Sequence, residues 1–212
     1  SSNKEFIRHI LDKNYEDVKL SYFPTDYRND SFAADLAELD SKVAIALPHQ
    51  LKDEQLSKIH SELEKHENAV VVNGLACFEY SWPSQIIAGP HLYVCNSESV
   101  AVLKNIGADL VTISRELKES EIKEAIYNDS NVIVPVYGRS PAMLLNHCPE
   151  RVLRGLSTGR DRCELCDKGN GTKNQFIIDR QGYKYPLFPI HFDYGCLNIL
   201  LEAQALNALN KH

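Results

Sequence analysis

Four cysteines offer the most specific chemistry in this chain. Cys148 is followed directly by proline in "NHCPE", Cys163 and Cys166 form a C-x₂-C pair in "RCELCDKG", and Cys196 sits in "DYGCLNI". A C-x₂-C turn holds two thiolates on one side of a tight loop, which suits tetrahedral zinc and an iron–sulfur cubane alike. Zinc ribbons carry two such pairs and this chain has one, whereas irregular spacing with proline after a cysteine is more typical of iron–sulfur ligation. Spacing alone leaves the two metals nearly level. Six cysteines in 212 residues is too sparse for a disulfide-stapled secreted domain. The two others, Cys77 and Cys95, lie in or beside apolar runs and read as ordinary buried thiols.

A second group of residues is set by strand ends. In parallel β/α folds, ligands bind at the carboxyl ends of the strands. Here those positions carry Arg28, His49, Asn96, Arg115, Glu116 and Arg139. Arg28, Arg115 and Arg139 would hold a ligand bearing carboxylates or phosphates, with Asn96 as a further substrate-binding candidate. His49 and Glu116 are the candidates for proton transfer. The competing reading of each is a helix cap or a surface ion pair. No G-x-S-x-G elbow, H-E-x-x-H pair or phosphate-cradling glycine loop accompanies them.

The elements that must position these residues follow from periodicity. Up to about residue 141, apolar β-branched runs alternate with helical patterns. The runs are 18–23, 43–48, 69–73, 86–95, 110–114 and 132–138, and the helices are 31–39, 53–65, 97–106 and 119–127. Near-continuous apolar runs are what strands buried on both faces look like. The pattern predicts an α/β domain over 1–141 with a parallel sheet, part of a TIM-barrel-like β/α fold. A full eightfold barrel needs about 250 residues. Asp53 and Ser97 read as helix N-caps. Residues 142–212 then form a small Cys-rich extension: a polar stretch, a β-hairpin turning at 179–182, and a C-terminal helix over "CLNILLEAQALNALN", where apolar residues recur every three or four.

Composition narrows the function classes. A net charge of −6 gives no electrostatic footprint for nucleic acid, so any RNA contact needs a local patch or another part of a longer protein. The longest apolar runs are strand-length, which predicts no membrane contact. The start "SSNKEFIRHI" lacks a signal-like apolar segment, so the expectation is a cytoplasmic fragment of a longer protein.

Taken in one order, "HLYVCNSESVAVLKNIGADLVTISRELKESEI", "VYGRSPAMLLNHCP", the C-x₂-C pair and "IIDRQGYKYPL" resemble peptidase family U32, the collagenase-like proteases. The similarity runs from about residue 42 to the C-terminus and is greatest to the C-terminal portion of the large, multi-domain members. It implies a β/α-barrel-like fold and a [4Fe–4S] cluster held by Cys148, Cys163, Cys166 and Cys196. It also implies a part in oxygen-independent hydroxylation, of an RNA base or a quinone ring, with prephenate as the linked oxygen source. Prephenate is a dicarboxylate, which the arginines would suit. The partners expected are therefore a prephenate-like dicarboxylate, RNA reached through other domains, and the N-terminal remainder of the protein. The alternatives are a metal-dependent peptidase, as the family's title has it, and a Zn²⁺-stapled, non-catalytic interaction domain. The chain departs from the family in lacking its N-terminal barrel strands and its signature of a glutamate with closely spaced cysteines.

Overall fold

The computed structural model describes residues 3–13, 19–127, 131–156, 175–193 and 195–207. The chain divides into two compact units. One comprises Ser1–Pro24 with Ala33–Pro135, the other Thr25–Phe32 with Val136–His212.

The first unit opens with helix α1 (Lys4–Asp12), capped by the Asn3 side chain, which accepts from the Phe6 N–H. Strand–helix alternation follows: β1 (Ser21–Tyr22), α2 (Asn29–Ala37, its first residues counted with the second unit), β2 (Ala44–Ala46), α3 (Asp53–Leu63), β3 (Val70–Val72), β4 (Ile86–Ala88), α4 (Ser97–Asn105), β5 (Leu110–Thr112), α5 (Glu119–Ile126) and β6 (Val132–Ile133). The six strands form one parallel sheet in sequence order, curled as half a barrel. Successive side chains along a strand point to opposite faces. Ala44, Ala46, Val71 and Ile87 accordingly form one apolar layer. Ala88, Val111 and Ile113 pack in another with Val100 and Leu103 of α4 and Ala125 of α5. Burial on both faces is why these strands read as unbroken apolar runs.

Boundaries moved where local chemistry won. The caps of α3 and α4 are Lys52 and Asn96, one residue before Asp53 and Ser97. The run 86–95 is a strand only to Ala88. A 3₁₀ turn over Pro90–Leu92 and a left-handed Tyr93 (φ 51°) interrupt it, and Val94 returns as a single bridge to Ile113.

In the second unit β7 (Tyr137–Gly138) is followed by β8 (Pro141–Leu145), α6 (Pro149–Leu153), β9 (Phe176–Ile178), β10 (Lys184–His191), β11 (Cys196–Leu201) and β12 (Leu206–Asn207). Strands β8, β11, β10 and β9 lie side by side in that order, each pair antiparallel, and β12 pairs with β7. The hairpin expected around 179–182 forms between β9 and β10. Asp179 Oδ1 accepts from the Gln181 and Tyr183 N–H groups, and Gly182 takes φ 88°. The predicted C-terminal helix does not form over 196–201. "CLNILL" is the inner strand β11, with Leu197 to Leu200 buried between its neighbours. Asn198 ties it into the sheet edge as described below.

Candidate functional site

The carboxyl edge of the parallel sheet gathers polar residues from three neighbouring strands. His49 follows β2 after Leu47 and Pro48, Asn73 follows β3, and His91 follows β4 after Gly89 and Pro90. Asn73 is buried and its Nδ2 donates to the Leu47 carbonyl at 2.7 Å. Its Oδ1 lies so near Gly89 that a Cβ there would stand 2.1 Å away. Glycine is therefore what lets Asn73 sit between the two loops.

His49 and His91 meet across this edge with ring centroids 3.5 Å apart and planes tilted by 58°. Burial lowers His49 to about 4. Burial, and then the neighbouring His49, lowers His91 to about 3. Both rings are thus neutral at pH 7, each with one N–H and one lone pair. Both nitrogens of His49 and the Oδ1 of Asn73 are buried without a hydrogen-bond partner. Two imidazoles on one zinc ion, at about 2.1 Å per bond, hold their ring centres about 5 Å apart. The observed pair is tighter than two imidazoles sharing one zinc ion. Among the described residues no group of three or more His, Cys, Asp or Glu is set to hold a metal ion.

Of the other residues expected here, Arg115 and the exposed Glu116 follow β5, with the Glu116 N–H 3.3 Å from Ser114 Oγ. Asn96 is the cap of α4, its Oδ1 accepting from the Ser99 N–H at 2.8 Å. Arg28 and Arg139 belong to the second unit. Arg28 Nε bonds Asp26 at 2.8 and 3.1 Å. Burial pushes the Asp26 carboxyl up, but hydrogen bonds and charge from Arg28 outweigh it and hold Asp26 below the usual carboxylate range. Arg139 donates to the carbonyls of Glu202 and Ala203.

The cysteines divide as follows. Cys148 is the half-buried N-cap of α6, and Cys196 is the first residue of β11, also half-buried. Asn198 pairs with Leu145 across β11 and β8. Fully buried Asn198 also donates from Nδ2 to the His147 carbonyl at 3.0 Å, which ties the turn before Cys148 to β11. Two soft thiolates at one end of a strand pair fit zinc or an iron–sulfur cluster. Cys163 and Cys166 lie outside the described residues. Cys77 is buried, as expected, and burial pushes its thiol up. Cys95 is exposed, because the 3₁₀ turn and Tyr93 end the run that was to cover it.

No protein-family model, curated protein or solved structure matches this chain.

Sequence reasoning placed Asn73 at a strand end without giving it a role, and it missed His91. The signal for His91 was faint: Gly89-Pro90 in mid-run marks a chain turning rather than continuing a strand.

Proposed function

We propose that Cys148, Cys163, Cys166 and Cys196 hold a [4Fe–4S] cluster, and that the chain takes part in an oxygen-independent, prephenate-linked hydroxylation of an RNA base. The resemblance to peptidase family U32 supplies the cluster and the reaction class. The observation that supports the reading is the bond from Asn198 Nδ2 to the His147 carbonyl, which ties the turn before Cys148 to the strand that begins at Cys196. Cysteines far apart in sequence and gathered at one place are what a four-thiolate site needs.

When bound, such a cluster supplies one-electron chemistry and a polarising metal. The chain's own residues contribute binding and proton handling. Arg115, beside Glu116 at the end of β5, is a cation suited to a carboxylate of the oxygen donor. His49 and Glu116 are the proton carriers, and His91 packs against His49 so that the pair stays neutral at pH 7. A neutral imidazole in that position accepts a proton from a substrate hydroxyl at its lone pair or donates from its N–H.

Purification without oxygen, followed by absorption spectroscopy and metal analysis, tests the reading. A brown chain with about four irons supports it. A colourless chain with one zinc replaces it with a stapled, non-redox domain.

A further inference from the structure

Three buried polar atoms at the carboxyl edge of the parallel sheet have no hydrogen-bond partner: both ring nitrogens of His49 and the Oδ1 of Asn73. A polar atom left buried and unpaired destabilises the fold, and a ligand that pairs with it relieves that. One short segment covers all three. The His91 ring lies against His49 with centroids 3.5 Å apart. The Gly89 backbone lies over Asn73, so close that a Cβ would stand 2.1 Å from Oδ1.

This cover is anchored at its ends and loosely tied between them. The Gly89 N–H donates to the Val72 carbonyl at 2.8 Å. At the other end Val94 bridges to Ile113, and its carbonyl accepts from the Ser114 N–H at 2.8 Å. Between these anchors Pro90 has no N–H to give, and the Leu92 N–H turns back to the Gly89 carbonyl at 3.2 Å. Leu92 is the latch, partly buried against the layer that holds Ala88, Val94 and Val111. Tyr93 is exposed and held in the left-handed region at φ 51°, a strain that a change of turn would relieve. What shifts the titration of His91 is burial and then His49, with no carboxylate or cation contributing.

The chemistry of the covered atoms selects the ligand. Asn73 Nδ2 is committed to the Leu47 carbonyl, so Oδ1 can only accept, and the ligand must bring an N–H or O–H. His49 is neutral at pH 7 and offers one donor and one acceptor. A carboxylate has no hydrogen to give Oδ1. The edge of a nucleobase sets an N–H beside an acceptor.

We propose that residues 89–93 form a lid over a binding site built by His49 and Asn73, and that this site takes the uncharged, N–H-bearing edge of a base rather than a carboxylate of the oxygen donor. The choice of a base rests on the function proposed above, and the lid does not.

Diethyl pyrocarbonate, which acylates neutral imidazole, tests both parts in the full chain at pH 7, with each histidine quantified by peptide mass spectrometry. Acylation of His49 requires the lid to open, so its rate reports the open population. His49 is expected to react about tenfold more slowly than the exposed His9. His91→Ala removes the ring against His49 and should raise the His49 rate about tenfold. Tyr93→Asn places a residue that takes the left-handed region more readily and should slow His49 severalfold. In wild type, added cytidine should slow His49 further, and added succinate should not. Wild-type His49 reacting as fast as His9 overturns the lid, as does an unchanged His49 rate in folded His91→Ala. Should His91→Ala not fold, Tyr93→Asn decides, and an unchanged or faster rate there overturns the lid. Protection by succinate, or by neither compound, overturns the base assignment. None of these rates depends on bound iron. A chain that binds no cluster therefore defeats the function proposed above and leaves the lid standing.

Discussion

His49 and His91 face one another with ring centroids 3.5 Å apart, one from the loop after β2 and one from the loop after β4. Neither ring takes a proton without placing charge in a site that lacks hydrogen-bond partners for His49. The pair is thus built to stay neutral, and that has a measurable cost in acid.

Both histidines are lowered from 6.5, to about 4 and about 3. Above pH 6.5 folded and unfolded chains are both neutral at these rings, so pH has no leverage through them. Below it, the unfolded chain binds protons that the folded chain refuses. Stability therefore falls as pH drops from 6.5 towards 4 and 3, by about 1.4 kcal/mol per pH unit per histidine. Urea unfolding at pH 7 and pH 5 should show wild type losing about 2–4 kcal/mol more than the His49→Gln/His91→Gln chain. Equal losses would mean that the rings are not buried as a neutral pair.

Gly89→Ala should destabilise the first unit by about 1–3 kcal/mol, since its Cβ would stand 2.1 Å from Asn73 Oδ1 and 3.0 Å from Val71 Cγ1. Asn73 cannot simply swing away, because its Nδ2 is committed to the Leu47 carbonyl. Adding Asn73→Ala should recover part of the loss in a double-mutant cycle, and strict additivity would refute this packing.

Asn198→Leu removes the donor to the His147 carbonyl and leaves that acceptor without the Asn198 side chain. Thermal unfolding should report a loss of about 1–3 kcal/mol. In the reconstituted chain, iron should also leave faster to a chelator, because Asn198 ties the Cys148 turn to the strand that bears Cys196. Unchanged chelation rates would show that the tie does not serve the metal site.

Cys148→Ser, Cys163→Ser, Cys166→Ser and Cys196→Ser should each bleach the reconstituted chain. Cys77→Ser and Cys95→Ser should leave its spectrum intact. Cys77 and Cys95 lie in the first unit, outside the proposed ligand set. A spectrum that survives Cys163→Ser would remove the C-x₂-C pair from the ligand set.

The parallel sheet was legible in the sequence because its strands are buried on both faces and therefore apolar throughout, as Val70–Val72 and Ala44–Ala46 are. The same property misled at "CLNILL". An inner strand covered on both sides loses its period of two, and with Leu, Asn and Ile at helical spacing it reads as a helix until β8 and β10 are seen flanking it. The site was legible only in part. His49 stands at a strand end, where ligands bind in such folds, and could be picked on that ground. His91 and Asn73 join it through the ordering of β2, β3 and β4, a long-range relation with no local signature.

The most direct measurement is iron and acid-labile sulfide per chain, with the absorption spectrum, on protein purified and kept without oxygen. The account predicts about four of each and a visible absorption that dithionite bleaches. One zinc per chain with no visible absorption, or no bound metal at all, would contradict it.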